Sequence, residues 1–478
     1  MKPGRFEIAV LTLFLVVGIY QLFIPPLIGI ADNGDFARLR YPNGLSRIPS
    51  EDHDQRFNYF YSKFAIVPEP QVGIYYFHTS SHLFVGAARW LNILLISREV
   101  FDIRVLAALY LICFLLGFYL ILIANRRFAF RWRCVLAVAL FGMYTDAAYT
   151  AYFNSFYSEP TALAALIIIV GCSLLLIAGR FGIFALAGYF AASWLLITAK
   201  PMYVPFAALF IPFGIYLTRF VSFRYRYAWT GAISVVLIVL AVRYQSVTPE
   251  WLRMKASYIA IFSVLLPDSP NPESDLLALN LKPEWIRYIG TTPYDTDGPV
   301  ETDAAFRKDF TNRVRTLTIP MFLLARPLQL YRVASSIAPQ LVTTLPDYAG
   351  YYEESSGKPP QTKPAAPWSS IRARIFPASL WLVILYFISG IVAFVLSLRV
   401  AANEFMRGIL LLYTMLVGFG AIIFLVPIVT MASIDTRYSI TFVSAFDFSL
   451  IIAAGLLLHM ARKAKTAGAV RDAVNEFE

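Results

Sequence analysis

Stretches of about 20 predominantly apolar residues recur along this chain, and a helix of that length spans the hydrocarbon core of a lipid bilayer. The chain has 478 residues, of which 58% are hydrophobic and only 15% are charged. Soluble globular domains are nearer half apolar and a quarter charged, so this composition argues against a soluble protein. The sequence therefore predicts an all-α polytopic membrane protein.

Hydropathy places about ten spans in the chain. They cover residues 7–30, 103–123, 134–149, 160–178, 181–199, 203–219, 228–243, 378–398, 407–430 and 438–460. The first span begins like a secretory signal peptide, but its apolar run is too long for one, and no small-x-small cleavage site precedes the polar stretch. We therefore interpret it as a retained first helix.

The connections between the spans carry a charge pattern that indicates their orientation. With the N-terminus inside, the cytoplasmic segments read MKPGR, NRRFAFRWRC, GR, RFVSFRYRY, LRVAANEFMR and ARKAK. Most of them are dense in Arg or Lys and nearly lack acidic residues, as the positive-inside rule requires. The pattern predicts a multi-pass protein whose N- and C-termini are both cytoplasmic.

The charge distribution argues against nucleic-acid binding, and the positions of the cysteines argue against disulfides and a thiolate metal site. The net charge of +11 follows from the orientation rule, and no basic cluster is interleaved with stacking aromatic residues in a soluble segment. Nucleic acid is therefore not a predicted partner. Cys113, Cys134 and Cys172 lie in or beside apolar spans, which argues against a disulfide framework and against a thiolate metal site.

The layout divides the chain into three parts. Residues 1–243 form an N-terminal transmembrane module with a first outer loop at 31–102, residues 244–377 form a mostly helical extracytoplasmic domain, and residues 378–478 form a C-terminal transmembrane module with a short cytoplasmic tail. Within the first outer loop, apolar residues at helical spacing predict an amphipathic helix at the outer interface. Its apolar stripe comprises Leu83, Ala87, Trp90, Leu91 and Leu94.

Ionisable residues from distant parts of the chain are predicted to lie at one depth, near the outer boundary of the hydrocarbon. They are Asp32 and Asp35 after span one, Glu159 at span four, Lys200 after span five, and Asp435 and Arg437 between spans nine and ten. Charges at the edge of a bilayer are costly unless they pair or line a wet cavity. The layout therefore predicts that the six side chains meet in one polar pocket.

Local explanations exist for most of these residues taken singly. Asp435 and Arg437 are close enough in sequence to pair with each other. Glu159 precedes a proline and suits the start of a helix, where a carboxylate favours the helix dipole. Lys200 can extend from a helix end towards water, and Asp32 can cap the turn that follows it. The stretch ADNGD nevertheless holds two carboxylates, and capping needs only one.

Other motifs favour few alternative chemistries. His78 and His82 are four residues apart and are predicted to share a helix face, but the chain has only four histidines and no HExxH pattern, so no zinc site is assigned. There is also no Walker A loop, no GxGxxG after a strand and no GxSxG, so nucleotide hydrolysis and serine-hydrolase chemistry have no support.

A set of short motifs occurs in a characteristic order along most of the chain. They are ADNGDF, FDIR, YFNSFYSEP, TAKP, YAGYYEESSG and DTRY. In this order they resemble a family of bacterial hexose transferases of cell-surface glycan biosynthesis, within the GT-C class of integral-membrane glycosyltransferases. The resemblance implies a GT-C-like helical bundle in the bacterial cytoplasmic (inner) membrane, with membrane lipid as a partner.

The resemblance also implies a reaction and roles for the outer charges. A hexose moves from a polyprenyl-phosphate-linked donor to a glycan or lipid-linked acceptor at the outer face, in one inverting displacement with Asp32 or Asp35 as general base. The implied substrate-binding residues are Arg38, Lys200 and Arg437 for phosphate, Glu159 for sugar hydroxyls or a cation, and Tyr157, His78 and Asp435 around them. No cofactor is assigned, although two aspartates so close together leave a divalent metal open.

Three other functions remain open at this point. A transporter or flippase of lipid-linked oligosaccharides needs ionisable groups or broken helices near the membrane midplane, where Asp146 and Asp447 are the nearest examples. A glycan polymerase or ligase shares the lipid chemistry but transfers a whole oligosaccharide. A non-catalytic assembly subunit needs only the large outer domain.

Overall fold

The computed structural model describes residues 4–48, 57–68, 70, 78–296, 298–315, 318–342, 344–400, 403–430, 437 and 439–475. The helices within these residues are α1 (Arg5–Phe23), α2 (Ala37–Arg40), α3 (Ser81–Leu95), α4 (Arg104–Ala124), α5 (Phe130–Tyr144), α6 (Ala147–Thr150), α7 (Glu159–Ile177), α8 (Gly182–Ile197), α9 (Ala207–Leu217), α10 (Arg226–Ser246), α11 (Glu250–Tyr258), α12 (Pro272–Ala278), α13 (Pro299–Thr302), α14 (Ala304–Arg313), α15 (Thr318–Leu324), α16 (Pro327–Leu341), α17 (Pro367–Ile375), α18 (Leu380–Arg399), α19 (Glu404–Thr430) and α20 (Ser439–Asn475). Short 3-10 segments and one π-helical segment, Ile259–Leu265, connect some of them.

Eight helices of the described part are long and apolar enough to cross a membrane. They are Arg5–Phe23, Arg104–Arg127, Glu159–Ile177, Pro201–Phe220, Arg226–Ser246, Leu380–Arg399, Glu404–Ile428 and Ser439–His459. A ninth span results if Phe130–Tyr144 and Ala147–Phe153, which meet at a bend of 58°, are taken together, and Gly182–Ile197 is apolar but shorter. The prediction of a helical, multi-pass membrane protein is confirmed. Two predicted spans are not single long helices in the structure: 134–149 falls on the bent pair, and 181–199 falls on the shorter helix Gly182–Ile197.

Helix α7 is the central span. It packs between α4 and α8, and 89% of its apolar stretch is buried inside the protein. Glycines permit the close contact with α4: a Cβ on Gly117 would lie 2.5 Å from Ile167, and one on Gly171 would lie 2.7 Å from Leu120. In the spans α1, α10 and α18 fewer than a third of the residues are buried, which suits a surface that faces lipid.

Residues 31–102, predicted to be the first outer loop, contain a small antiparallel sheet that the sequence did not predict. Its strands are β1 (Leu45–Ser46), β2 (Lys63–Ile66) and β3 (Val100–Asp102), in the order β1-β2-β3. The strands are too short to show a period of two. Asp102 ends β3 and starts α4, since its carboxylate accepts the backbone N–H of Arg104 at 3.0 Å and also pairs with its guanidinium. The FDIR motif therefore has a structural role here.

The predicted amphipathic helix is α3, and one prediction about its residues needs correction. It begins at Ser81, so His78 precedes it, and the prediction that His78 and His82 share a helix face is wrong. The predicted stripe is largely the exposed face, with Leu83 and Trp90 more than half exposed. The opposite, buried face comprises Ser81, Val85, Ala88 and Asn92.

Residues 244–377, the second of the two segments predicted to lie outside the membrane and here called the second outer segment, are hydrogen-bonded to the chain that follows α1. That helix ends at Phe23 rather than at residue 30, and an extended stretch follows it. In this stretch the N–H of Gly29 donates to the carbonyl of Tyr351 at 3.1 Å, and the N–H of Ala31 donates to that of Gly350 at 2.9 Å. Gly350 touches the backbone of residue 58 so closely that no side chain fits there.

A buried polar cluster joins α17 to α20. The Arg372 guanidinium lies 3.2 Å from the Asp447 carboxylate, and neither side chain is exposed. The same oxygen of Asp447 accepts from the Trp368 indole at 2.7 Å and from the Tyr149 hydroxyl at 2.6 Å. Asp146 accepts the backbone N–H of the residue after Trp368 at 2.8 Å. This cluster fixes the end of the second outer segment on the bundle.

We expect Arg372→Ala to destabilise the protein by about 3–5 kcal/mol, because it leaves the Asp447 carboxylate buried without its cation. The neighbouring Arg374 is exposed, so Arg374→Ala is the matched control and should change stability little. Melting temperatures in detergent measure both effects. Equal melting temperatures for the two variants would show that the cluster does not stabilise the fold, whereas the pair Arg372→Met with Asp447→Asn should recover much of the loss.

Candidate active site

A cavity of about 270 Å³, including its open mouth, lies where α7 begins. Its lining comprises Asp35, Arg38, Leu39, Phe156, Tyr157, Ser158, Glu159, Lys200 and Arg437. Six of these are candidate residues from the sequence, drawn from four separate stretches of the chain. The cavity therefore brings together charged side chains that the linear sequence keeps far apart.

The stretch from Asp32 to Phe36 is a tight turn held by its own side chains. One oxygen of Asp32 accepts the N–H of Gly34 at 2.6 Å and that of Phe36 at 3.2 Å, and the amide oxygen of Asn33 accepts the N–H of Asp35 at 3.1 Å. Gly34 has a φ of 100°, a conformation that glycine adopts without strain. The turn places the Asp35 carboxylate in the cavity lining.

Asp32 and Asp35 have different surroundings. The second oxygen of Asp32 lies 3.0 Å from the Arg47 guanidinium, so both of its oxygens are engaged, and Asp32 is not among the lining residues. The structure therefore brings Asp35 together with Glu159 and Lys200 in the cavity lining, whereas Asp32 lies outside this lining. The capping explanation for Asp32 describes its contacts well.

Asp35 is held between two guanidinium groups. Arg38 lies 2.8 Å from one carboxylate oxygen, and Arg437 lies 2.8 Å from the other. Burial by itself would raise the pKa of the Asp35 carboxyl, but Arg38, Arg437 and the Lys200 ammonium together hold that pKa well below its ordinary value. Asp35 is thus ionised at physiological pH, and it neutralises part of the cationic charge of the cavity.

Tyr157 contacts both the Asp32–Phe36 turn and Arg437. Its hydroxyl donates to the carbonyl of Ala31 at 2.7 Å and accepts the N–H of Asn33 at 3.1 Å, which fixes the turn. The Arg437 guanidinium lies 4.2 Å from the centre of its ring, within the range of a cation–π contact. Tyr157 therefore positions both the turn and the arginine.

Glu159 and Lys200 form a second ion pair in the cavity. Glu159 is the first residue of α7 and is 1% exposed, and the Lys200 ammonium donates to its Oε1 at 2.8 Å. Lys200 follows α8, in a segment tied to the start of α3 because the Thr79 hydroxyl donates to the carbonyl of Ala199 at 2.7 Å. A carboxylate at the first position of a helix also gains from the helix dipole.

One further predicted site residue, His78, lies away from the cavity. His78 is exposed and is not part of the cavity lining. Its neighbour in the predicted pair, His82, contacts the side-chain amide of Asn43 at 2.8 Å. Asp435 lies outside the described residues. Sequence reasoning did not single out Leu39, Phe156 or Ser158, and their only signal was that each adjoins a predicted residue.

The arrangement does not suit a divalent cation. Within the described part of the chain, no group of three or more His, Cys, Asp or Glu side chains could hold a metal ion. The carboxylate oxygens of Asp35 face guanidinium groups, which occupy the positions that a cation would take.

Comparisons with known proteins identify a family for the chain. The family described as YfdI N-terminal transmembrane domain matches residues 4–473. Among solved structures, the oligosaccharyltransferase AglB from Archaeoglobus fulgidus, in complex with an inhibitory peptide and a dolichol-phosphate, is 14% identical with a TM-score of 0.39, and an apo oligosaccharyltransferase from the same organism is 11% identical with a TM-score of 0.40. Each alignment covers 97% of this chain and 52% of the other, so this chain spans about half their length. No curated protein matches the chain in sequence.

The charge cluster predicts a stability effect of Asp35→Asn that is independent of pH over the neutral range. Because the pKa of Asp35 is lowered in the folded protein, its ionised form stabilises the fold above the ordinary pKa of about 4, and this contribution declines only as the pH falls towards the lowered value. We expect a deficit of about 2 kcal/mol, constant from about pH 5 to about pH 8, in detergent melting experiments.

The matched control is Asp347→Asn, since Asp347 is 80% exposed and pairs with Lys363 at the surface. Such pairs contribute little, so this variant should melt like the wild type. A deficit for Asp35→Asn that grows or disappears between pH 5 and 8 would contradict the charge assignment.

Proposed function

We propose that this chain, which belongs to the YfdI N-terminal transmembrane domain family, is an integral-membrane glycosyltransferase of the GT-C type. It transfers a hexose from a polyprenyl-phosphate-linked donor to a hydroxyl of a glycan or lipid-linked acceptor. The observation that carries the proposal is a cavity at the ends of the apolar spans in which a carboxylate lies between two guanidinium groups, beside a second carboxylate and a lysine.

The charges of the cavity suit an anionic donor. The lining contains three cationic side chains, Arg38, Lys200 and Arg437, and two carboxylates, so its balance is positive. Guanidinium groups contact phosphate through two parallel hydrogen bonds, which makes Arg38 and Arg437 the candidates for the phosphate of the donor. The aromatic side chains of Phe156 and Tyr157 complete the lining, and both are almost fully buried.

The place of the cavity suits a donor carried by a lipid. Glu159 and Arg437 lie at the beginnings of α7 and α20, and both helices contain predicted spans. A polar headgroup at this depth can keep its apolar chain in the bilayer. Nucleotide sugars are confined to the cytoplasm, so a reaction at the outer face requires a sugar that crosses the membrane on a lipid.

The proposed reaction is a single displacement with inversion at the anomeric carbon. The acceptor oxygen forms a bond to that carbon while the bond to the phosphate oxygen breaks, and the phosphate leaves with the electron pair. Arg38 and Arg437 stabilise the charge that develops on the phosphate. A carboxylate accepts the proton of the acceptor hydroxyl.

Asp35 is the stronger of the two candidates for this carboxylate. It lines the cavity, whereas the oxygens of Asp32 are engaged by two backbone N–H groups and by Arg47. Asp32 then serves the reaction indirectly, because its turn positions Asp35.

The transport alternative gains little from the buried acidic residues. Asp447 lies within a predicted span, but its carboxylate is enclosed by Trp368, Arg372 and Tyr149. Asp146 caps the N-terminus of α6 by accepting the N–H of Ala148 at 2.8 Å. Both acids therefore have structural partners.

The proposal includes an orientation and a division of the chain. Both termini are cytoplasmic in the inner membrane of a bacterium, and residues 244–377 form an extracytoplasmic domain between transmembrane modules 1–243 and 378–478. We expect an alkaline-phosphatase fusion after residue 350 to be active and one after residue 225 to be inactive, because the enzyme folds only outside the cytoplasm. Fusion activity per unit of expressed protein gives the answer, and the reverse result would overturn the orientation.

The transfer reaction itself is tested with purified protein in liposomes that contain a polyprenyl-phosphate hexose and an acceptor glycan. We expect the wild type to transfer hexose and Asp35→Asn to lose about 10²–10⁴-fold in rate, as removal of a general base does. Asp347→Asn should keep wild-type activity. Normal transfer by Asp35→Asn would exclude Asp35 as the base, and no transfer by the wild type with any polyprenyl-phosphate hexose would exclude the proposed function.

A further inference from the structure

We propose that Glu159 is a specificity-determining residue whose Oε2 accepts a hydrogen bond from one sugar hydroxyl of the substrate pair. This inference rests on the proposed function and adds to it a recognition contact at a defined atom. The hydroxyl belongs either to the donor hexose or to the acceptor glycan, since both present the same chemistry to a carboxylate.

The inference starts from an unmatched hydrogen-bond acceptor. Glu159 is 1% exposed and lines the cavity. Lys200 occupies Oε1 at 2.8 Å, whereas Oε2 has no hydrogen-bond partner within the described part of the chain. Buried polar atoms are almost always paired, and an unpaired one destabilises the protein, more so when it is charged. A hydroxyl of a bound ligand would remove that destabilisation.

The ion pair defines which oxygen is available. The Lys200 ammonium donates to Oε1, and Oε2 is buried without a hydrogen-bond partner among the described residues. Lys200 is itself fixed by its segment: the N–H of Ser80 donates to the carbonyl of Thr198 at 3.0 Å, and Thr79 holds the carbonyl of Ala199. Glu159 is fixed because it begins α7, the most buried span. Such a preorganised acceptor selects among hydroxyl positions.

The surroundings of Glu159 distinguish it from Asp35. Both oxygens of Asp35 accept from guanidinium groups, so its first partner in an occupied cavity is a cation. In Glu159, Oε1 accepts from the Lys200 ammonium, and Oε2 has no hydrogen-bond partner among the described residues. Ser158 and Tyr157 line the cavity next to it, which combines a hydroxyl and an aromatic face, as sugar sites require.

The experiment pairs Glu159→Gln with substrates that lack single hydroxyl groups. In this variant the amide oxygen stays on Lys200, so an NH2 group replaces the acceptor at the position of Oε2. We expect kcat/KM for the complete substrates to fall about 10²-fold or more. For the one deoxy substrate that lacks the recognised hydroxyl, the wild type and Glu159→Gln should agree within about threefold, because the contact is already missing.

Two series of substrates identify the source of the hydroxyl. Polyprenyl-phosphate deoxyhexoses with each hydroxyl removed in turn test the donor, and the matching deoxy acceptors test the glycan. Glu159→Asp retains the carboxylate on a shorter side chain. Its loss of kcat/KM relative to the wild type should therefore be smallest for the same deoxy substrate as in Glu159→Gln. Glu284→Gln, an exposed glutamate outside the cavity, should behave like the wild type in both series.

The outcomes separate this inference from the proposed function. Transfer by the wild type, with Glu159→Gln lowering every substrate by one common factor or lowering none, would overturn the recognition role and leave the transferase assignment intact. Absence of transfer by the wild type would overturn the proposed function, and this inference with it. A single deoxy substrate insensitive to both Glu159 variants is the result that supports it.

Discussion

The ion cluster around Asp35 is the contact on which the candidate site depends. Its carboxylate contacts Arg38 on the same turn and Arg437, which lies 402 residues further along the chain. Charged side chains near the hydrocarbon are costly when single, so each member of the cluster needs the others. These ion pairs connect the turn after α1 to a residue just before the start of α20, and they form a charged cavity without a bound substrate.

The position of Arg437 depends in turn on the second outer segment. Arg437 lies two residues before the start of α20, and Asp447 lies on that helix about three turns further along. Trp368 and Arg372 of α17 contact the Asp447 carboxylate. The packing of α17 therefore fixes the position of α20, the helix that follows Arg437. The structure thus links the second outer segment, through one buried carboxylate and one helix, to the side of the cavity where Arg437 lies.

Topology made the convergence of the charges predictable, because spans of known length place their ends at two depths. Apolar runs and the positive-inside rule therefore sufficed to group Asp35 with Glu159 and Lys200. The different surroundings of Asp32 and Asp35 were not predictable, since they follow from the side-chain hydrogen bonds of one turn. The partner of Asp447 was not predictable for a similar reason: Arg372 lies in the stretch SSGKPPQTKPAAPWSSIRAR, whose prolines and polar residues are typical of a linker. The three strands are two to four residues long, and their pairing depends on contacts that no local pattern reveals.

The low pKa of Asp35 raises a question for its proposed role, since a weakly basic carboxylate is a poor proton acceptor. The contacts themselves suggest an answer. Arg38 and Arg437 are also the candidates for the donor phosphate, and a guanidinium group that turns towards phosphate interacts less with Asp35. In the proposed reaction, donor binding therefore weakens the two interactions that lower the basicity of Asp35. The carboxylate then becomes a better base only when the leaving group is in place, which disfavours proton transfer in the absence of donor.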